Sequence, residues 1–282
     1  MNNGATSTSP RSWGVRRLTF GLLLVALPAI AAEPALASAT TIPTASATVT
    51  PAVTATSTIV AVSSASTTAP VTMAVALTTP AAAATPTART VDVPLYYQAY
   101  TLSCEESALR MALASQGINV TDAQVLSVIG TDTRSAYFDA GGLRWGDPYA
   151  TFVGDPTGSQ TALSGYGTYY PTIAAAATAL GGQVLAAGEG ISPATLYADV
   201  LAGHPAVVWV TYQWAAASRQ DYVAFDGRTI PYAGPVEHAV TLVGVTANDV
   251  VINNPDFGRE VISKSLFEAR YATYNDMAVV LN

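Results

Sequence analysis

The amino-acid sequence predicts an α+β domain in which helices from its first half pack on an antiparallel β-sheet from its second half. Three observations lead there. Helix-period patterns bounded by caps and glycines recur between residues 104 and 202. From residue 205 onward they give way to short β-branched runs separated by turn residues. Helices first and strands later indicate segregated layers rather than a doubly wound parallel sheet. Composition also changes abruptly at Arg89, which sets off a domain of residues 89–282 from everything before it.

The elements follow in order. VDVPLYYQAY reads as an extended entry broken by Pro94. Residues 104–116 read as a helix, with Ala108, Met111, Ala112 and Ser115 on one small or apolar face and Gly117 as its stop. Thr121 caps a second helix over 122–129. The stretch 132–170 is rich in Gly, Asp and Tyr without periodicity, and is expected to be loop. Residues 171–180 form an Ala-rich helix closed by Gly181-Gly182, and residues 193–202 another closed by Gly203. PAVVWVTY is a continuous apolar run, as in a strand buried on both faces. HAVTLVGVT, DVVINN and MAVVLN complete the sheet.

The first 88 residues are of a different kind. Arg11, Arg16 and Arg17 precede an apolar run over 18–32, too short for a comfortable membrane span, and Ala35-Leu36-Ala37 offers a small-x-small cleavage site. Residues 1–37 are therefore expected to be a signal peptide, with an uncleaved anchor as the alternative. Residues 38–88 carry no charge and consist mostly of Ala, Thr, Ser, Val and Pro. Such a stretch cannot specify a core and reads as a disordered linker. A leader followed by a tether implies a secreted or cell-surface protein, with attachment to the cell envelope as one use of the tether.

Composition excludes some classes. The net charge is −7 and only 11% of residues are charged. That argues against nucleic acid, whose phosphates need Lys and Arg. The chain has one Cys and two His, far apart, which match no zinc spacing, so neither a metal nor an organic cofactor is expected. A single Cys in an exported chain is either inert and buried or a reactive thiol.

Cys104 opens its helix, where unpaired N–H groups and the helix dipole favour a thiolate, while Glu105 and Glu106 oppose one. His238 opens a strand and offers a base. Asn253 and Asn254 end the next strand, where an amide oxygen could hold the imidazole in place. Gln98 precedes the Cys and could donate, with the Cys104 N–H, to a developing oxyanion. Each residue alone has an ordinary structural reading, as core thiol, edge His or turn Asn. It is their joint order, Gln–Cys–His–Asn, that points to nucleophilic catalysis.

The segments VPLYYQAYTLSCEESALRMALASQGI, RWGDPYATFVGD, GYGTYYPTI, HPAVVWVTY and EHAVTLVGVTANDVVINNPDFG together resemble the C39-like family of papain-like cysteine peptidases. The resemblance spans residues 92–282. It implies a papain-like fold, with Gln98 in the oxyanion hole, Cys104 as nucleophile and His238 as general base. The family's Asn-Asp-Pro motif is matched here by Asn253-Asn254-Pro255, so Asn254 takes the place of the Asp that orients the His. The expected function is an exported cysteine hydrolase acting on peptide or amide bonds, with peptides or peptidoglycan stem peptides as substrate. The alternative is a non-catalytic peptide- or wall-binding module on the same fold.

Overall fold

The computed structural model describes residues 86–282. The expected signal peptide, 1–37, and nearly all of the expected linker, 38–88, lie outside the described residues. The folded part is already under way at Arg89. Strand β1 (Arg89–Thr90) pairs antiparallel with β10 (Glu237–Val245), Arg89 opposite Val245.

The main sheet is antiparallel. Its strands run in the order β12 (Gly258–Ser263), β11 (Asp249–Asn254), β10, β7 (Ala206–Thr211), β13 (Ala278–Leu281), β6 (Val184–Gly188). All nine residues of β10 and all six of β7 are buried. β7 therefore reads as an apolar run up to Thr211, and β10 as one from Ala239 broken only by Thr241 and Gly244, rather than as alternating strands. Covered on both faces, they have no solvent side to mark with polar residues.

Helices cover the two faces. On one lie α1 (Cys104–Ala114), α2 (Asp122–Ile129) and α3 (Tyr170–Ala179). Here Ala108, Leu109 and Ala112 share a core with Val207, Trp209, Ala239 and Val279. On the other lie α4 (Pro193–Ala202) and α5 (Lys264–Tyr271), packed on Val208, Val210, Val240 and Leu242. The strand period of two sorts residues between these cores. The helix boundaries are set by local chemistry. Thr121 and Gln124 form a reciprocal capping box at the start of α2, and the Ser192 hydroxyl accepts from the Thr195 N–H at the start of α4.

The stretch 132–170 is not the plain loop expected from its composition. It contains β3 (Tyr137–Asp139), β4 (Gly142–Trp145) and β5 (Phe152–Val153). β3 and β4 join β8 (Gln220–Ala224) and β9 (Thr229–Tyr232) in a second sheet, ordered β3-β4-β8-β9. β5 pairs with β2 (Thr131–Asp132). The strands are two to four residues long, so no period can show in the sequence. Their stability comes from side chains brought together by the fold. Trp145, Tyr166, Tyr222 and Tyr232 interlock with centroid separations of 5.5–6.5 Å.

Between α1 and β10 the small side chains Ala108 and Ala112 allow close approach. The Thr241 hydroxyl donates to the Ala108 carbonyl at 2.9 Å across the gap. A larger residue at Ala108, which is fully buried, has no space to enter. Ala108→Leu is expected to destabilise the full-length chain by about 1–3 kcal/mol, read as a lower midpoint in urea unfolding. An unchanged midpoint would show that the interface is looser than described.

Candidate functional site

Gln98, Cys104 and His238 line one cleft of about 290 Å³, together with Tyr212, Glu237 and Asp256. Asn254 stands behind it. Three elements build this place: the loop leading into α1, the start of β10 and the end of β11.

The loop is held by a buried carboxylate. Asp122, the first residue of α2, accepts from the Ala99 N–H at 2.8 Å and from the Ser103 hydroxyl at 2.9 Å, and pairs with Arg110 at 3.4 Å. Ser103 therefore turns its hydroxyl toward Asp122 rather than capping α1. Gln98 is tied to the turn after β11 by its N–H, which donates to the Pro255 carbonyl at 3.0 Å. Its side-chain amide donates to the Thr101 carbonyl at 2.8 Å. An amide nitrogen carries two hydrogens, so one bond leaves the other donor for a ligand.

His238 sits at the rim of the sheet, 3% exposed. Its Nε2 lies 2.9 Å from Asn254 Oδ1, and its ring meets Tyr212 edge-on at 5.3 Å. Asn254 is itself fixed: Nδ2 donates to Glu260 at 2.6 Å, and Oδ1 also accepts from the Asp256 N–H at 3.0 Å. The neighbouring Asn253 points elsewhere, donating to the Val93 carbonyl and accepting from Arg259. Of the two asparagines, only Asn254 faces the imidazole. Burial lowers the His238 pKa against the raising effect of the Asn254 bond, so the ring is neutral at pH 7.

Cys104 and His238 share the cleft without a hydrogen bond between them. The Cys104 thiol donates to Glu105 Oε2 at 3.2 Å. Ala239 and Thr241 face α1, and Glu237 follows them toward Cys104, while His238 lines the same cleft as the thiol and is held by Asn254. Burial pushes the thiol pKa well up, and Glu105 and Glu237 push it further. The helix N-terminus, expected to favour a thiolate, is outweighed.

The burial of these acids, and the place of Glu237 among them, are what the sequence did not reveal. Glu105, Glu106 and Glu237 are buried, at 0%, 0% and 2% exposure. Burial raises the Glu105 pKa to about 7, and those of Glu106 and Glu237 well above the ordinary range, with repulsion among the three adding to the effect on Glu106 and Glu237. The cluster is built deliberately. The Thr168 N–H donates to Glu105 Oε1 at 2.6 Å, and Trp209 Nε1 holds the Thr168 carbonyl at 2.9 Å. Gln160 clamps Glu237, donating to its carbonyl at 3.0 Å and its Oε2 at 3.2 Å while accepting from its N–H at 3.1 Å. Gly167, at φ 152°, leaves room that any Cβ would take from Glu105. Cys104, Glu105 and Glu237 also bring one sulfur and two carboxylate oxygens within 4.8 Å of one another, a donor set able to hold a thiophilic cation. Sequence spacing missed it because Glu237 arrives from the far half of the chain.

Other aromatic and acidic residues of the domain lie away from this cleft or at its edge. Trp145 and Trp209 are fully buried core. Asp155 lines a separate hollow. Tyr212 is at the cleft, with Phe257 against it at 5.4 Å.

The model of the peptidase C39-like family matches residues 90–279. Among solved structures, a chain from Bacillus anthracis, provisionally described as a C39-like peptidase, superposes with a TM-score of 0.58. It is 24% identical, and the match covers 69% of this chain and 98% of that one. At that identity the likeness shows the fold. No curated protein matches this chain.

Two expectations follow from the electrostatics. Glu105→Gln removes a negative charge and an acceptor from the thiol, both of which favour the protonated form. Iodoacetamide should then alkylate Cys104 several-fold faster at neutral pH than in the natural chain; an equal or slower rate would contradict the assigned role. The second concerns stability. Glu105 binds its proton more tightly folded, with a pKa near 7 against an ordinary 4.5. The stability this gives is complete below the ordinary value and is lost as pH rises through about 7. Glu106 and Glu237 act in the same direction to higher pH, and the lowered pKa of His238 opposes them only where it titrates. The melting temperature should fall between mildly acidic and mildly alkaline pH, and Glu106→Gln should flatten that fall.

Proposed function

The chain belongs to the peptidase C39-like family, and from that membership we propose that it is an exported cysteine hydrolase of peptide or amide bonds, with a papain-like Cys-His-Asn site. The observation that carries this reading is the 2.9 Å contact of His238 with Asn254 at the rim of the cleft that also holds Cys104 and Gln98. An imidazole held by one nitrogen presents the other to the cleft.

The steps follow from the residue chemistry. A substrate carbonyl enters the cleft and the thiol turns from Glu105 toward the imidazole. His238, neutral and unprotonated on its free nitrogen, accepts the thiol proton as Sγ bonds to the carbonyl carbon. The second amide hydrogen of Gln98 and the Cys104 N–H stabilise the oxyanion. The imidazolium then protonates the leaving amine, and water activated by His238 hydrolyses the acyl-enzyme. Asn254 keeps the ring in one orientation throughout. Since the resting thiol is protonated, the nucleophile forms with substrate present rather than as a standing thiolate–imidazolium pair.

The basic n-region, apolar run and cleavage site before residue 38 support export, and the uncharged stretch after it supports a tether to the envelope. Stem peptides of peptidoglycan are then a reachable substrate.

The test is incubation of the purified protein with a mixture of peptides and, separately, with purified peptidoglycan, reading new termini by mass spectrometry. Cleavage is expected in at least one of them. It should fall by roughly three orders of magnitude or more in Cys104→Ala and His238→Ala. Because the His238 pKa lies below its usual 6.5, activity should persist into mildly acidic pH. Cleavage that survives Cys104→Ala would overturn the assignment, and a Cys104 that neither cleaves nor is acylated would leave the binding-module reading.

A further inference from the structure

The cleft beside Cys104 has a charge problem that the residues around it do not solve. Besides Cys104 and Tyr212, its ionisable lining consists of Glu237, Asp256 and the neutral His238, and it includes no Lys or Arg. Behind Glu237 stand Glu105 and Glu106. Among the described residues the ion pairs all lie elsewhere, and none involves these three glutamates. Glu237 Oε2 is taken by Gln160, but Glu237 Oε1 is buried and has no hydrogen-bond partner. Buried carboxyl groups are normally satisfied by donors or cations, because leaving one unpaired is costly.

Gln160 matters here. It holds Glu237 by main chain and side chain at once, so the carboxyl is fixed rather than loose. A fixed acceptor with one free oxygen, backed by two more acids, is matched by a group that brings both a hydrogen-bond donor and positive charge. We infer that Glu237 forms a cation subsite next to Cys104, and that the cleft selects ligands presenting an amino or guanidinium group there. For the hydrolase reading, on which this substrate assignment rests, the substrates are peptides with a basic side chain or free amine close to the scissile bond. The proton that burial keeps on the Glu237 carboxyl leaves to solvent as the cation arrives. Anionic ligands gain nothing from the protonated carboxyl and oppose the loss of its proton.

The experiment needs no identified substrate. In the full-length protein, with EDTA present and at neutral pH, Cys104 is modified by three methanethiosulfonates of similar size: aminoethyl, ethyl and sulfonatoethyl. Mass spectrometry follows each rate, and each is divided by the rate with free mercaptoethanol. The ratio of cationic to anionic rates cancels any change in the thiolate fraction. It should exceed roughly tenfold in the natural chain, as expected for a charge close by in a poorly screened site. Glu237→Gln should bring it to within about threefold of unity, whereas Asp256→Asn should leave most of it. Similar rates for all three reagents would refute the subsite and leave the hydrolase reading standing. A ratio that survives Glu237→Gln, or that vanishes in Asp256→Asn, would also refute it. Should Glu237→Gln fail to fold, the natural ratio and the Asp256→Asn arm still decide between the two acids. A folded protein whose Cys104 none of the reagents reaches would overturn both readings.

Discussion

The packing of α1 on β10 is the constraint on which the rest of the structure depends. Two alanines and the Thr241–Ala108 hydrogen bond bring the helix close to the strand. Only then does the first residue of α1 stand beside the first residues of β10. Strand register does the remainder. Glu237 opposes Thr211 and His238 opposes Val210 on β7, while β11 returns Asn254 to the rim. The site is thus a consequence of dry, close-packed contacts some distance from it. Close-packed interiors transmit small changes in volume, which is why an alanine deep in this interface matters to a cleft it does not line.

Electrostatics in the cleft run against first intuition for a nucleophilic thiol. A helix N-terminus favours an anion, worth at most about 2 kcal/mol in partly buried geometries. Burial of the thiol and the neighbouring carboxylates push the other way and win. The resting state is therefore a neutral thiol hydrogen-bonded to Glu105, facing a neutral imidazole across the cleft. Such an arrangement keeps Cys104 unreactive until a ligand changes its surroundings. For a chain carrying a single thiol, that restrains unwanted oxidation and exchange, since the thiolate is the reactive form.

Legibility in the sequence varied with the physics behind each feature. α2 and α4 have the boundaries read from their caps and glycines, because capping is local chemistry. The strands at 206–211, 237–245 and 249–254 were visible as apolar β-branched runs. β3, β4 and β8, two short strands and a polar one, were not. They are held by an aromatic cluster gathered from residues 145 to 232. Gln98, Cys104, His238 and Asn254 could be picked out by residue type, order and family resemblance. Gln160 and Glu237 carried no such signal: a Gln in a polar loop and a Glu at a strand edge look like solvent-facing residues until their burial is known.

By itself, then, the sequence determined the domain's class of helices and strands, its family, and the residue types available for chemistry. Those depend on composition, period and local capping. Tertiary structure alone decided which groups meet. It turned the Cys104 thiol toward Glu105, buried three acids without a basic partner, and placed one of them, Glu237, in the lining of the cleft. The physical reason is that burial, which sets the cost of a charge, is a property of the whole packed chain and of no segment within it.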